Sequence, residues 1–370
     1  MIDLTKLSDK ELVAYKQKIS FDASKYKNLQ LAKKVQLNAA YGALGNEYFR
    51  FFDVRQAEAV TISGQFAIRW IERDLNLYLN KVLKTENVDY VIAADTDSVY
   101  LNLSFIVDAG FGDKPQEPQK VVDFLDKFSN QGLQKEIERS YNALADYVNA
   151  FSQKMRMKRE SIADRGIWTS KKRYIMNVYD AEGVRYTTPK LKIMGIEAIK
   201  SSTPQYCRDK IKEAIKLILN KSETDLHSYI QDVEKEFKNL PPEEVSFPRS
   251  CNGLMKYFDH QNVAKSGTPI HVRGSLIYNK LVKEKKLTKK YPLIQDGNKI
   301  RFLYLKEPNP VQSHVLSIVD GLPEEFSLEK YIDYDIQFDK AFKEPLRSIL
   351  DAIGWGTEKK RDLSSFFIDG

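Results

Sequence analysis

Two kinds of hydrophobic pattern divide this chain. Apolar positions recurring every three or four residues predict a helix from about Ala23 to Ala43, a long helix from Phe51 through Trp70 and Leu79, and a third opened by Val121, Phe124, Leu125 and Phe128. Between them come short strand-like runs. Tyr90-Val91-Ile92 and Val99-Tyr100-Leu101 flank Ala93-Ala94-Asp95-Thr96-Asp97-Ser98, which predicts a buried hairpin with two carboxylates at its tip. Lys171-Lys172-Arg173-Tyr174 opens another strand-like run, Asp180-Ala181-Glu182-Gly183 reads as a turn, and Val184 to Ile196 returns as strand. Helical patterning resumes after Thr203, the expected N-cap with Pro204 at the first helical position, and again from Leu328 to Ile349. Ser8 with Glu11 forms a capping-box pattern. Helices across antiparallel strands make the class α+β.

Composition narrows the setting. A chain of 370 residues, 42% hydrophobic and 29% charged, can bury a real core over two or three domains. No run of about 18 apolar residues occurs and the amino terminus lacks signal-peptide architecture, so the expectation is a cytoplasmic protein without a membrane partner. Cys207 and Cys251 are too few and too isolated for a disulfide framework or a zinc site. The net charge of +7 is unevenly spread: residues 151–221 hold 17 Lys/Arg against 7 Asp/Glu, a local +10. A basic hairpin there can lie along duplex phosphates, or be a solvated cationic surface. Residues 223–244 turn acidic, and Lys280 to Lys290 reads as a solvated basic loop.

The Asp95/Asp97 pair is the sharpest chemical signal. Two hard oxygen ligands suit Mg²⁺, which takes one or two carboxylates and completes its shell with water and substrate phosphate. That makes phosphoryl or nucleotidyl transfer the reaction class to consider, against the plain alternative of an Asx turn. Upstream, Lys34, Asn38 and Tyr41 fall at i, i+4 and i+7 on one helix face, where a lysine can reach a triphosphate and a tyrosine can lie along a base pair. A polar helix face explains the same spacing. Ser201-Ser202-Thr203-Pro204 with Lys200 could hold a DNA phosphate at a helix start, or simply cap it.

Lys34-Val35-Gln36-Leu37-Asn38-Ala39-Ala40-Tyr41-Gly42 followed by Asp95-Thr96-Asp97-Ser98 resembles two polymerase motifs of the family B DNA polymerases, in the form carried by T-even-type bacteriophages. Tyr41 to Arg50, Asp53 to Thr61, Trp70 to Arg73, Lys171 to Tyr174 and Pro189 to Glu197 extend the resemblance along nearly the whole chain. It implies the carboxyl-terminal part of such an enzyme: 1–50 partial fingers, 51–196 the carboxyl-terminal part of the palm, 197–370 a helix-rich thumb. By resemblance Asp97 and Asp95 are the catalytic metal ligands for two Mg²⁺ ions, with Glu160 a secondary acidic residue. Lys34, Asn38 and Tyr41 would bind the dNTP, and Lys171, Lys172, Tyr174 and Lys200 the primer-template DNA. Leu363, Phe366 and Phe367 of the tail would dock on a sliding clamp, the alternative being the chain's own thumb.

Some of the family's pattern is missing. The earlier motif that supplies an essential aspartate, Asp before a Ser-Leu-Tyr-Pro-like run, does not occur here, and Asp3, Asp9 and Asp22 stand in helix-like surroundings that do not replace it. Ala93-Ala94 replaces the usual Tyr-Gly, and the loop expected at Asp164 to Trp168 is shorter than the family's glycine-rich segment. The expectation is therefore a polymerase part that needs an N-terminal polymerase/exonuclease chain. The competing expectation is a catalytically inactive remnant that binds DNA and clamp. A free-standing phosphohydrolase is disfavoured, because no residue to activate a hydrolytic water accompanies the pair.

Overall fold

A computed structural model describes residue 4 and residues 7–112, 116–260 and 263–358. The chain divides into two compact units, Met1–Gln116 with Lys127–Lys158, and Glu117–Asp126 with Arg159–Gly370. The architecture is α+β with antiparallel sheets.

The first unit opens with α1 (Asp9–Leu44), 36 residues long and without a single buried residue. It starts where the capping pattern places it. Glu11 accepts from the Ser8 amide (2.9 Å), and the Ser8 hydroxyl donates to the same carboxylate (2.6 Å). Residues 1–50 are expected as helical partial fingers, and the 23–43 stretch is the second half of this one helix. Next, α2 (Val54–Leu83) is capped by Asp53, whose side chain accepts from the Arg55 amide, and buries Ala67, Ile71, Leu75 and Leu79 along one stripe. Strands β1 (Val91–Asp95) and β2 (Ser98–Leu101) form the expected hairpin, followed by α3 (Ser104–Phe111). Helix α4 (Pro118–Phe128) begins in the second unit, and a π turn at Ser129–Leu133 joins it to α5 (Gln134–Tyr147) in the first. The buried Asp74 ties α2 to α5 by accepting the Ser140 hydroxyl at 2.5 Å.

The second unit holds the two apolar cores. Strands β3 (Ser161–Ser170), β4 (Arg173–Ala181) and β5 (Val184–Met194) make an antiparallel sheet with β4 central and almost wholly buried. The segment Asp164 to Trp168, expected as a loop, is therefore strand, with Gly166 in a regular stretch of the ladder opposite Met176. Helices α6 (Gln205–Asn220) and α7 (Glu223–Phe237) close the first core around Ile175, Ile211, Ile215 and Phe237. Thr203 does not cap α6. Pro204 has an extended ψ of 142° and is itself the N-cap, so the helix begins at Gln205, and Thr203 is buried. After α8 (Pro242–Val245), β6 (Phe247–Ser250), α9 (Leu254–Tyr257) and the short pair β7 (Phe258–Asp259) and β8 (Val263–Ala264) comes α10 (Ile270–Glu284). It absorbs the first residues of the basic run expected as loop, because Val272, Leu276 and Val282 supply it with a buried face. Strands β9 (Lys299–Tyr304) and β10 (Val315–Ile318) pair with β6 in the order β10-β9-β6. The predicted helix at 328–349 is broken: a 3₁₀ turn at Glu329–Tyr331, then α11 (Tyr334–Phe338), a π turn and α12 (Glu344–Leu350).

Candidate active site

Helix α2 fixes the base of the hairpin that carries the carboxylates. The Asn76 side chain receives the Tyr90 amide and donates to Asp89, both at 2.8 Å. One turn later Asn80 accepts from the Val88 amide (3.0 Å) and donates to its carbonyl (2.8 Å). Tyr90 is buried, and its hydroxyl shares a hydrogen bond with Thr85 (2.7 Å). The strand therefore leaves a helix-anchored base. A register shift between Val91 and Ala93 puts an irregularity at the base end of β1, and pairing is regular from Ala93 to the tip.

At the tip, Asp95 pairs with Ser98 across a two-residue turn. Thr96 sits in the left-handed region at φ 56°, unusual for a β-branched residue, and its hydroxyl donates to the Asp95 carboxylate (2.9 Å). The Ser98 hydroxyl donates to the Asp95 carbonyl (3.1 Å). Asp97 is exposed and Asp95 half-buried. That corrects the expectation of a buried tip: the pair meets solvent, so its own charge costs less than in a core. Burial raises the phenol pKa of Tyr141 on α5, and the nearby charge of Asp97 raises it further. Among the described residues no group of three or more His, Cys, Asp or Glu could hold a metal ion. Two carboxylate donors nevertheless fit the modest protein share of a Mg²⁺ shell.

Lys34, Asn38 and Tyr41 lie exposed along α1, and the Tyr41 hydroxyl is 2.5 Å from that of Thr61 on α2. Glu160 belongs to the second unit, where Lys192 holds its carboxylate at 2.6 Å beside a cleft of about 430 Å³ lined by Tyr186 and Lys190. Leu363, Phe366 and Phe367, like Asp3, lie outside the described residues.

The basic residues 171 and 172 form the turn between β3 and β4, with Lys172 at φ 63°. Tyr174 is placed differently from them, buried and stacked on Trp168 with ring centroids 6.1 Å apart. Lys200 ends a 3₁₀ turn (Glu197–Ile199) and donates to Glu197 at 2.8 Å. Arg173 grips the same carboxylate with two bonds of 2.9 and 2.8 Å. Burial works against the charged form of Glu197, but the bonds from Arg173 and Lys200 outweigh it and hold the carboxyl at about 2, below its ordinary 4.5. A folded pKa below the unfolded one means the stabilisation is complete above pH 4.5 and fades as pH falls toward 2. Glu197→Gln should cost about 2 kcal/mol at pH 7 and flatten stability across that acid window. Urea midpoints at pH 7 and pH 3 test this; the same acid loss in both proteins would contradict it.

One feature of the second unit has no clear sequence signal. Asp180, expected only as a turn residue, is fully buried between two arginines. Arg159 and the Gly183 amide (3.0 Å) both donate to its Oδ1, and the Arg185 Nε lies 3.3 Å from Oδ2. Arg159 and Arg185 reach on to Asp126 of α4 at 2.9 and 3.1 Å.

No family model matches the sequence. The DNA-directed DNA polymerase of Enterobacteria phage T4 is 36% identical over 350 residues, covering 91% of this chain and 38% of that protein. The same enzyme from Escherichia phage RB69 is 38% identical over 351 residues, again 91% of this chain and 38% of the relative. DNA polymerase 1 of Aeropyrum pernix is 24% identical over 268 residues, 69% of this chain and 22% of that protein. The chain thus spans well under half the length of these relatives.

Proposed function

From its homology to the carboxyl-terminal region of the family B DNA polymerases of phages T4 and RB69, we propose that this chain is the carboxyl-terminal part of a replicative DNA-directed DNA polymerase. It extends a primer 3′-hydroxyl with dNTPs on a DNA template. The observation that carries this reading is the Asp95–Asp97 turn, held on a helix-clamped hairpin within a chain alike to those polymerases over 91% of its length. Two Mg²⁺ ions at these carboxylates would activate the primer hydroxyl and neutralise the departing pyrophosphate. The chain's own share is positioning. Asp97, exposed at the tip, stands ready as the principal ligand, and Asp95 is steadied by the Thr96 hydroxyl. Lys34 makes no ion pair among the described residues, which leaves its ammonium for a triphosphate, with Asn38 and Tyr41 on the same face for the nucleotide. Lys171 and Lys172 contact the duplex backbone, Tyr174 supports their strand, and Lys200 completes the basic surface.

Partner polypeptide is part of the proposal. Large apolar side chains left exposed among the described residues number 26 in the first unit and 6 in the second. Val13, Phe21, Leu31 and Leu37 on α1, and Val60, Ile62 and Phe66 on α2, are exposed apolar side chains of the kind that another polypeptide covers. An N-terminal polymerase/exonuclease segment supplying the missing aspartate motif fits this role. A sliding clamp for the tail completes the partners. The test is primer extension with Mg²⁺ and all four dNTPs, by this chain alone and with such a segment. Synthesis only in the mixture is expected. No synthesis by a verified complex would instead favour the remnant that binds DNA without catalysis, a reading prompted by Ala93-Ala94.

A further inference from the structure

We propose that Gly195 is the positioning residue for the basic turn at Lys171–Lys172, setting through backbone contact where the two ammonium groups meet the duplex; this rests on reading that turn as a DNA contact. Gly195 lies just past the end of β5 at φ +67°. A Cβ added there would stand 2.3 Å from the Lys172 carbonyl oxygen and 3.1 Å from the Arg173 side chain. The first is far inside van der Waals contact, and its partner is backbone, which cannot swing aside. Lys172 itself is left-handed, so the turn can relax only by changing its own conformation. Arg173 completes a lock around this contact: it donates to the Gly195 carbonyl (3.2 Å) and holds Glu197 with a two-pronged grip. The next residue, Ile196, is fully buried and keeps Gly195 from retreating. The turn is thus clamped on its inner side, and its lysine side chains start from a fixed base.

Gly183 provides the control. It is also left-handed, at φ +88°, and lies in the turn joining β4 to β5, yet a Cβ there meets nothing within 4 Å. Gly195→Ala and Gly183→Ala share the conformational penalty of an L-residue at positive φ; only the first displaces the basic turn. Binding of the whole chain to a primer-template duplex is measured as a function of salt. Gly195→Ala should weaken it about fivefold to tenfold and lower the logarithmic salt slope by about 1 to 2, one lost phosphate contact being worth about 0.9. Gly183→Ala should bind as the unaltered protein does. A general loss of stability would lower the active fraction without changing the slope, so the slope separates positioning from misfolding.

Two further variants close the test. Lys171→Ala/Lys172→Ala must itself lower the slope; if it does not, the DNA-contact reading fails before the glycine is at issue. If it does and Gly195→Ala keeps the unaltered slope, the positioning proposal is overturned. Should Gly195→Ala not fold, Glu197→Gln carries the test, because it loosens the Arg173 lock without adding volume. Removing a negative charge beside DNA and releasing Lys200 from it would by themselves raise the salt slope, so a lower slope for Glu197→Gln has the sign of lost positioning, and an unchanged or higher slope overturns the proposal.

Discussion

Asp97→Ala is expected to abolish synthesis by the complemented polymerase, lowering the rate by about three orders of magnitude or more, roughly 4 kcal/mol of barrier, while duplex affinity stays within about twofold. The asymmetry follows from where the residue stands. Asp97 is exposed at the end of a two-residue turn, so removing its side chain opens no cavity and breaks no core contact. Its amide approaches the Asp95 carbonyl at 2.6 Å through backbone, which alanine keeps. On the proposed reading, charge at the reacting centre is lost while shape is kept. Single-turnover extension and duplex titration on the same preparation measure both. Comparable losses in the two would indicate that Asp97 holds the hairpin together, and an unchanged rate would remove it from the chemistry.

Asp180→Ala should have the largest effect on stability. The Asp180 side chain is wholly buried, and the partner Arg159 side chain is only 16% exposed, so deletion strands a guanidinium with Asp126 alone. Breaking a buried pair by removing one member typically costs about 3 to 5 kcal/mol, whereas replacing both with apolar groups can be neutral. For a unit of this size that corresponds to a melting transition lower by about 10 °C. Thermal unfolding followed by circular dichroism checks it. A shift of only a degree or two would mean that Asp126 and Asp123 already satisfy both arginines and that Asp180 serves chiefly the turn, through the Gly183 amide.

What the sequence disclosed and what it hid separate along physical lines. The carboxylate hairpin was legible because two short apolar, β-favouring runs flank a polar quartet. The left-handed Thr96 was not, since a β-branched residue is a poor prior for that conformation. Helix α10 was missed at its basic end because charge dominated the reading there, while one buried side chain, Val282, was enough to carry the helix on to Glu284. The start of α6 was misplaced by one residue because a proline serves equally well just outside a helix and just inside it. Arg159, Asp180 and Arg185 could not be joined from the sequence at all: a hydrogen bond between residues 21 apart, through a strand whose pairing shifts register, leaves no local periodicity. Tyr174, expected to contact DNA, is buried, and the register that sets it opposite Trp168 is a pairing that no local pattern announces.

Helix α1 has a further consequence, in time rather than in structure. With none of its residues buried, its amides are guarded by little beyond their own helical ladder, and an isolated helix of this kind opens and closes within about a microsecond. Deuterium should enter residues 9–44 long before it reaches the amides of α2 or β4, and a protease should trim that segment while the second unit is still intact. The partner segment proposed to cover α1 would slow both. The rate at which this one helix stops exchanging would therefore act as a clock for assembly, readable before any nucleotide is added.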